Sequence, residues 1–365
     1  MLAVKKLNWW LVLLVALGLG LTNSTTVQAY HTYHQKSAAL SVGKRRMVND
    51  SHVHYVKAPH TYRHAKNRHG RNTIARSRGA AITFKTKYLL PLPGYHNQAW
   101  GNPQSLATNG RYLYVLYTPT AWHNRGRIVR YDMHKLNKLG LTPRQLQTAY
   151  TSNAKAQLAS HAAVKIGKPF ETGHGQSLAY NWKNHHLYMW CDREKSAATP
   201  VNQYGYIKQI KAKSLTPRYQ IRFRLKHKGF AAPGGHVLTF DKQGRAYFWS
   251  RPTTHTVYIY RGHISRHHVK FHLTHQVLKH GPGTHVQSMG YNPHTKRVYL
   301  VADDSIASLP VSKLAGKGHL TKHNVKWTKF SSKREFEGLT FTKSGHAYLL
   351  CNHNPEVLRG NKISW

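Results

Sequence analysis

Five residues in equivalent settings carry most of the chemistry this sequence offers. Gln104, Gln176, His236, Gln287 and Glu337 each open a recurring phrase of polar, small and apolar residues: Gln104-Ser105-Leu106-Ala107, Gln176-Ser177-Leu178-Ala179, His236-Val237-Leu238-Thr239, Gln287-Ser288-Met289-Gly290 and Glu337-Gly338-Leu339-Thr340. A ring of three amides, an imidazole and a carboxylate can bind a polar ligand or a cation, and if the chain is an enzyme Glu337 is its acid. The plainer use of such residues is to hydrogen-bond water and one another. His174, His285 and Glu335 lie close by in sequence, and Glu171 is a further possible helper. Glycoside hydrolysis needs two carboxylates across the scissile bond. Of the eleven acids, Asp132, Asp241, Asp303, Asp304 and Glu356 fall in turns or after later strands and Asp192 at a strand end, which leaves Glu337 as the one channel-facing carboxylate. His185-His186, His267-His268 and the spaced His31, His34, His52 and His54 lack the converging spacing of a tight metal site, so no metal and no cofactor is expected.

The elements that would position this ring repeat with it. Ten to twelve residues after each phrase comes a tyrosine in an apolar strand, at Tyr114, Tyr188, Tyr247, Tyr299 and Tyr348, beyond a turn rich in Gly, Asn, Lys and Asp. A third β-like segment follows each tyrosine, and a fourth follows in four of the repeats, as in Tyr219-Gln220-Ile221-Arg222-Phe223. The fifth repeat lacks a fourth segment, and Ile82 to Tyr88, just before the first repeat, can fill the vacancy. Units spaced by 72, 60, 51 and 50 residues predict an all-β, five-bladed β-propeller closed by pairing its N- and C-terminal strands, with first strands lining a central channel. The longest interval holds one helical insertion, opened by the capping pattern Thr142-Pro143-Arg144-Gln145 and continuing to about Ala159; a sixth, degenerate blade there is the alternative. Cys191 and Cys351 each follow a repeat tyrosine by three residues, in units that are not neighbours, so two buried thiols rather than a disulfide are expected.

These repeats, over about residues 82–365, resemble secreted bacterial β-propellers of the NHL and lactonase-like kind, especially exported propellers of lactic acid bacteria. The resemblance implies an architecture and transfers no catalytic set.

Residues 1–29 read as a cleavable signal peptide: Lys5 and Lys6, an apolar stretch from Trp9 to Leu21, and Val27-Gln28-Ala29. Residues 30–80 hold seven histidines, eleven Lys or Arg and one acid without apolar periodicity, which predicts a disordered basic arm before a propeller domain at 81–365. No later segment is apolar enough to span a membrane. A net charge of +44 and 29 histidines favour polyanionic partners, more so in acid. The resulting expectation is a secreted or loosely wall-associated, non-enzymatic protein of a Gram-positive bacterium that binds anionic cell-wall polymers, teichoic acid or acidic polysaccharide. Non-specific contact with nucleic acid or an anionic membrane surface would follow from the same charge. The alternative is a carbohydrate-active or other small-ligand enzyme, or a lectin, working at the channel mouth.

Overall fold

Each repeat read from the sequence forms an antiparallel meander, with strand-length apolar alternation broken by turns that need left-handed backbone. The structure, a computed structural model, describes residues 30–91, 101–151, 160–191, 204–234 and 236–365; the expected signal peptide, Trp100 and Asp192 lie outside them. From its first strand outwards, unit one pairs Pro103–Thr108, Tyr112–Tyr117, Arg125–Asp132 and Val164–Ile166. Unit two pairs Ala179–Asn181, His186–Cys191, Tyr204–Ile210 and Pro217–Arg224. Unit three pairs Thr239–Phe240, Ala246–Ser250, Val257–Ile264 and Val269–Leu278, and unit four Ser288–Asn292, Arg297–Ala302, Ser305–Pro310 and Lys326–Phe330. Unit five begins with Phe336–Phe341, Ala347–Cys351 and Glu356–Gly360. Gly110, Gly244 and Gly345 supply the positive φ in three of the first hairpins, and His185 and Lys296 take that strained conformation in the other two.

The first strands meet in a circuit. Phe336–Phe341 packs on Pro103–Thr108 and Ser288–Asn292, Ala179–Asn181 on Pro103–Thr108 and Thr239–Phe240, and Thr239–Phe240 on Ser288–Asn292. Between units the core is continuous apolar packing, and all five repeat tyrosines are buried in it. Their hydroxyls are satisfied where the structure shows them: Tyr247 donates to Asp241 Oδ2 at 3.0 Å and Tyr299 to the Trp365 carbonyl at 3.0 Å. Trp249 is fully buried in the same packing. Cys191 and Cys351 are both buried and neither is in a disulfide, as their equivalent positions in separate units require.

The reading of residues 30–80 as a disordered arm is corrected: they form a belt along the outer edges of the units. In chain order its strands are β1 (His31–Ala38), β2 (Leu40–Val42), β3 (Arg46–Val48), β4 (Thr73–Gly79) and β5 (Thr83–Leu89). β1 pairs parallel with Pro217–Arg224 of unit two, β2 and β3 parallel with Val269–Leu278 of unit three, and β4 antiparallel with Lys326–Phe330 of unit four. The physical reason is that an outer strand offers a row of backbone donors and acceptors, which a polar segment can satisfy without burying many side chains. Gln35 does the same with its amide, accepting from Val269 N at 2.7 Å and donating to Val269 O at 3.0 Å. Asp50, fully buried, accepts from His280 N and lies 3.0 Å from His280 Nδ1.

β5 completes unit five by pairing antiparallel with Glu356–Gly360, Val357 opposite Tyr88 and Arg359 opposite Lys85. Because β4 also pairs with β5, units four and five form one nine-stranded sheet. The helical insertion is shorter than expected and is preceded by a second helix. α1 (Met133–Leu139) starts on Asp132, whose carboxylate accepts from His134 N and Lys135 N, and ends at Gly140. α2 (Pro143–Gln147) has the expected capping box of Thr142 and Gln145 but stops at Thr148, and 152–159 lie outside the described residues. Among the described residues no helix is long and apolar enough to cross a membrane.

Closure is locked by Glu356, a fully buried carboxylate paired with Arg334 and accepting from Thr86 Oγ1 at 2.6 Å and Asn72 Nδ2 at 3.4 Å. Removing it strands the buried Arg334 guanidinium. Glu356→Ala is expected to lower unfolding free energy by about 3–5 kcal/mol, read from urea denaturation; a loss under about 1 kcal/mol would show that the closing pair does not depend on this contact.

Candidate functional site

The first strands start on one face, and the loops entering them bring three carboxyl groups together. The turn Asp303-Asp304, which follows Arg297–Ala302, organises this region. Asp304 accepts from Ser332 N at 3.1 Å and Lys333 N at 2.6 Å, while Asp303 Oδ1 accepts from Phe336 N at 2.9 Å. Two adjacent aspartates thereby clamp the loop that carries Glu335 and Glu337. Asp303 also accepts from Gln287 Nε2 at 3.1 Å, lies 2.9 Å from His285 Nδ1, and receives the Tyr62 hydroxyl at 2.7 Å. Tyr62 comes from the belt, stacks on His353, and His353 Nε2 lies 3.2 Å from Glu335 Oε2. The adjoining Arg63 N donates to Lys333 O at 2.9 Å, so the belt is fastened at this mouth.

Glu337 is the innermost acid, 1 % exposed. Its Oε1 receives Gln104 Nε2 at 3.3 Å and Asn352 Nδ2 at 3.4 Å, while among the described residues no hydrogen-bond donor reaches its Oε2. Burial, together with the neighbouring Glu335 and Asp303 charges, holds the Glu337 carboxyl well above the ordinary carboxylate range, and burial also raises Glu335. An oxygen without a donor beside another carboxylate is best satisfied by carrying the proton itself. The arrangement is a buried acid whose carboxyl is held above its ordinary range beside two further carboxyl groups, which is the pattern of general acid–base work. Deeper in, the third residues of the repeated phrases, Leu106, Leu178, Leu238 and Met289, line a cavity of about 20 Å³, room for roughly one water.

The structure brings four of the five sequence candidates into hydrogen-bonded contact. Gln104 reaches Glu337, and Gln176 Nε2 donates to Gln287 Oε1 at 2.8 Å, which passes the chain on to Asp303. His236 is buried and stacks on Trp190 at 4.5 Å. His285 and Glu335 join the cluster. His174 is exposed, and Glu171 pairs with Lys208 at 3.9 Å. Asp303, Asn352 and Tyr62 were missed. A signal for the first two was present: both stand four residues after a repeat tyrosine, at the end of the second strand, which returns to the face where the first strand begins. Among the described residues no group of three His, Cys, Asp or Glu is placed to hold a metal ion.

No family model matches the chain, and no curated protein is similar to it. Solved structures similar to it include a gluconolactonase from Xanthomonas campestris at 9 % identity, covering 82 % of this chain and 96 % of that one with a TM-score of 0.37. A glucose dehydrogenase is 11 % identical over 82 % of this chain and 99 % of its own, TM-score 0.37. The SapL1 lectin, solved with alpha methyl fucoside, is 10 % identical over 77 % and 88 %, TM-score 0.37. Likeness of this order transfers no chemistry. The expectation of a non-enzymatic binder of cell-wall polymers is corrected on the geometry of the site: the mouth gathers Asp303, Glu335 and Glu337, acids that a charge-only binder does not need.

The raised Glu337 has a consequence for stability. Its folded state keeps a proton that the unfolded chain loses above about pH 4.5, so stability falls as pH rises through that window towards the folded pKa. Glu337→Gln removes this slope. Urea unfolding should find the variant more stable than wild type at about pH 8, with the gap shrinking towards about pH 5; a constant gap would mean that Glu337 is ionised in the fold.

Proposed function

We propose that this chain is a five-bladed propeller enzyme, exported by way of residues 1–29, that hydrolyses an oxygen-linked bond, glycoside or lactone, in a small, neutral, hydroxyl-rich ligand at the channel mouth. The blade count is supported by the circuit of first strands and by β5 beside Glu356–Gly360. The observation that carries the chemistry is Glu337, buried beside Glu335 and Asp303 with its carboxyl held well above the ordinary range. In this reading Glu337 donates its proton to the departing oxygen, and the Glu335 or Asp303 carboxylate takes one from the attacking water. Gln104, Gln176 and Gln287 orient the carboxyls and ligand hydroxyls through the amide chain described above. A neutral ligand fits because an anion would meet three acidic groups, while hydroxyls, amides and imidazoles suit a sugar-derived molecule.

The test is hydrolysis of a panel of aldonolactones and aryl glycosides by wild type and Glu337→Gln. Loss of the proton donor should lower kcat by about 10²–10⁴-fold with binding retained, and wild-type kcat should fall at alkaline pH as Glu337 ionises. Absence of turnover on every compound, or equal turnover in both proteins, would sink the enzymatic reading; saturable saccharide binding without turnover would replace it with a lectin. Tyr62→Phe makes an independent check. Its hydroxyl occupies Asp303 Oδ2, which a ligand hydroxyl must take over, so KM should fall about fivefold, the equivalent of one ordinary hydrogen bond.

A further inference from the structure

The closing strand pair carries a second feature, away from the mouth. Lys85 of β5 stands directly opposite Arg359 of the last strand, and Lys87, at the point where the pairing shifts register, lines the same cleft. Like charges placed opposite one another on a sheet cost stability. The Arg359 guanidinium nitrogen also lies 3.2 and 3.3 Å from the two ring nitrogens of His346. With Arg71 from the belt and Asn361, these residues line a cleft of about 590 Å³ whose remaining wall is the apolar side of the α1–α2 hairpin, Leu136 and Leu141. Among the described residues no carboxylate lines it, and Glu356, in the same strand as Arg359, is buried on Arg334 and Thr86. Half-buried Lys87 has its proton affinity lowered by burial and by Arg359 and Arg71, and His346 by burial and Arg359, so these groups feel one another's fields. Arg111, by contrast, is an exposed cation that rests on Asp132.

A concave cluster of crowded cations is stabilised by an anion that supplies several acceptors at once. We infer that this cleft binds a single tetrahedral oxyanion, the group shared by a phosphate monoester and a sulfate monoester, with its organic part against the hairpin. Arg359 and Arg71 offer forked donors, Lys85 and Lys87 point charges, and Asn361 an amide. The volume admits a sugar ring beside the anionic group, within the range of small-ligand sites. This is a discrete site on the outer wall of unit five, independent of the chemistry at the mouth and distinct from diffuse attraction to a basic surface.

Calorimetric titration of the whole chain with inorganic phosphate, inorganic sulfate, glucose 6-phosphate and glucose 6-sulfate, at about 0.15 M ionic strength, tests it. One saturable equivalent is expected, competed between the four probes, and the esters should bind more tightly than the free ions if the hairpin holds the sugar; equal affinity assigns the site to the free ion. The double variant Lys87→Gln/Arg359→Gln should lose about tenfold or more in affinity, since each charge-assisted contact is worth about that factor. Lys313→Gln/Lys322→Gln, which removes the same charge from exposed positions elsewhere, should leave affinity within about twofold. Because the first pair also removes repulsion, its Tm without anion should equal or exceed wild type, which separates lost binding from lost folding. Equal losses in the two double variants, or no saturable binding to any probe, would overturn the site.

Discussion

The buried pair of Glu356 and Arg334 is the contact on which the closed sheet rests. One carboxylate engages Arg334 in the loop entering unit five, Thr86 on β5 and Asn72 in the belt, while its own backbone lies in the last strand. Segments far apart in sequence are thus held at a single point, and burying the charge is tolerable because every direction around it is answered by a donor. Hydrophobic packing alone would let β5 slide along its partner, since its buried face is made of ordinary apolar and aromatic residues. An ion that must be met at one register does not allow that.

What closure provides is the position of Phe336–Phe341 between its neighbours, and with it the depth of Glu337. Loop and strand cooperate here. The Asp303-Asp304 turn fixes the entering loop by backbone hydrogen bonds, and the first strands crowd Glu337 until no donor among the described residues reaches its outer oxygen. Two amides on one oxygen and an acid beside the other are a poor setting for a second negative charge. The proton that results is a product of the fold's geometry rather than of any local motif, which is why a single glutamate in the repeated phrase can differ so sharply from the glutamines at equivalent positions.

Much of this was legible because a propeller repeats. The polar residue of each phrase, the tyrosine strand, the turn glycines and the vacancy near Ile82 all follow from periodicity, and Gln104, Gln287 and Glu337 come out of the same register. The belt was not legible, because its hold on the body is backbone pairing to exposed strand edges, and backbone leaves no trace in composition; Gln35 and Asp50 look like any polar residues until the partner at Val269 or His280 is known. Tyr62 was invisible for the same reason. Asp303 was read as a turn residue and Asn352 was passed over, when the repeat register, extended four positions past the tyrosine, would have returned both to the mouth. α1 was also within reach, bracketed by Asp132 as cap and Gly140 as stop.

The net charge misled for a physical reason. A large excess of Lys and Arg describes the surface, where those residues stay solvated, and is silent about the few acids that the fold withdraws from water. Of the nine acids in the described residues seven are buried: Asp50, Asp132, Asp241, Asp303, Asp304, Glu337 and Glu356. Each is spent on a cap, a turn, an ion pair or the mouth, so the minority charge is concentrated where position matters and the majority charge is spread where it does not. In such a molecule the surface carries the cations while the mouth gathers Asp303, Glu335 and Glu337. Composition predicts the first fact and conceals the second, and the chemistry belongs to the second.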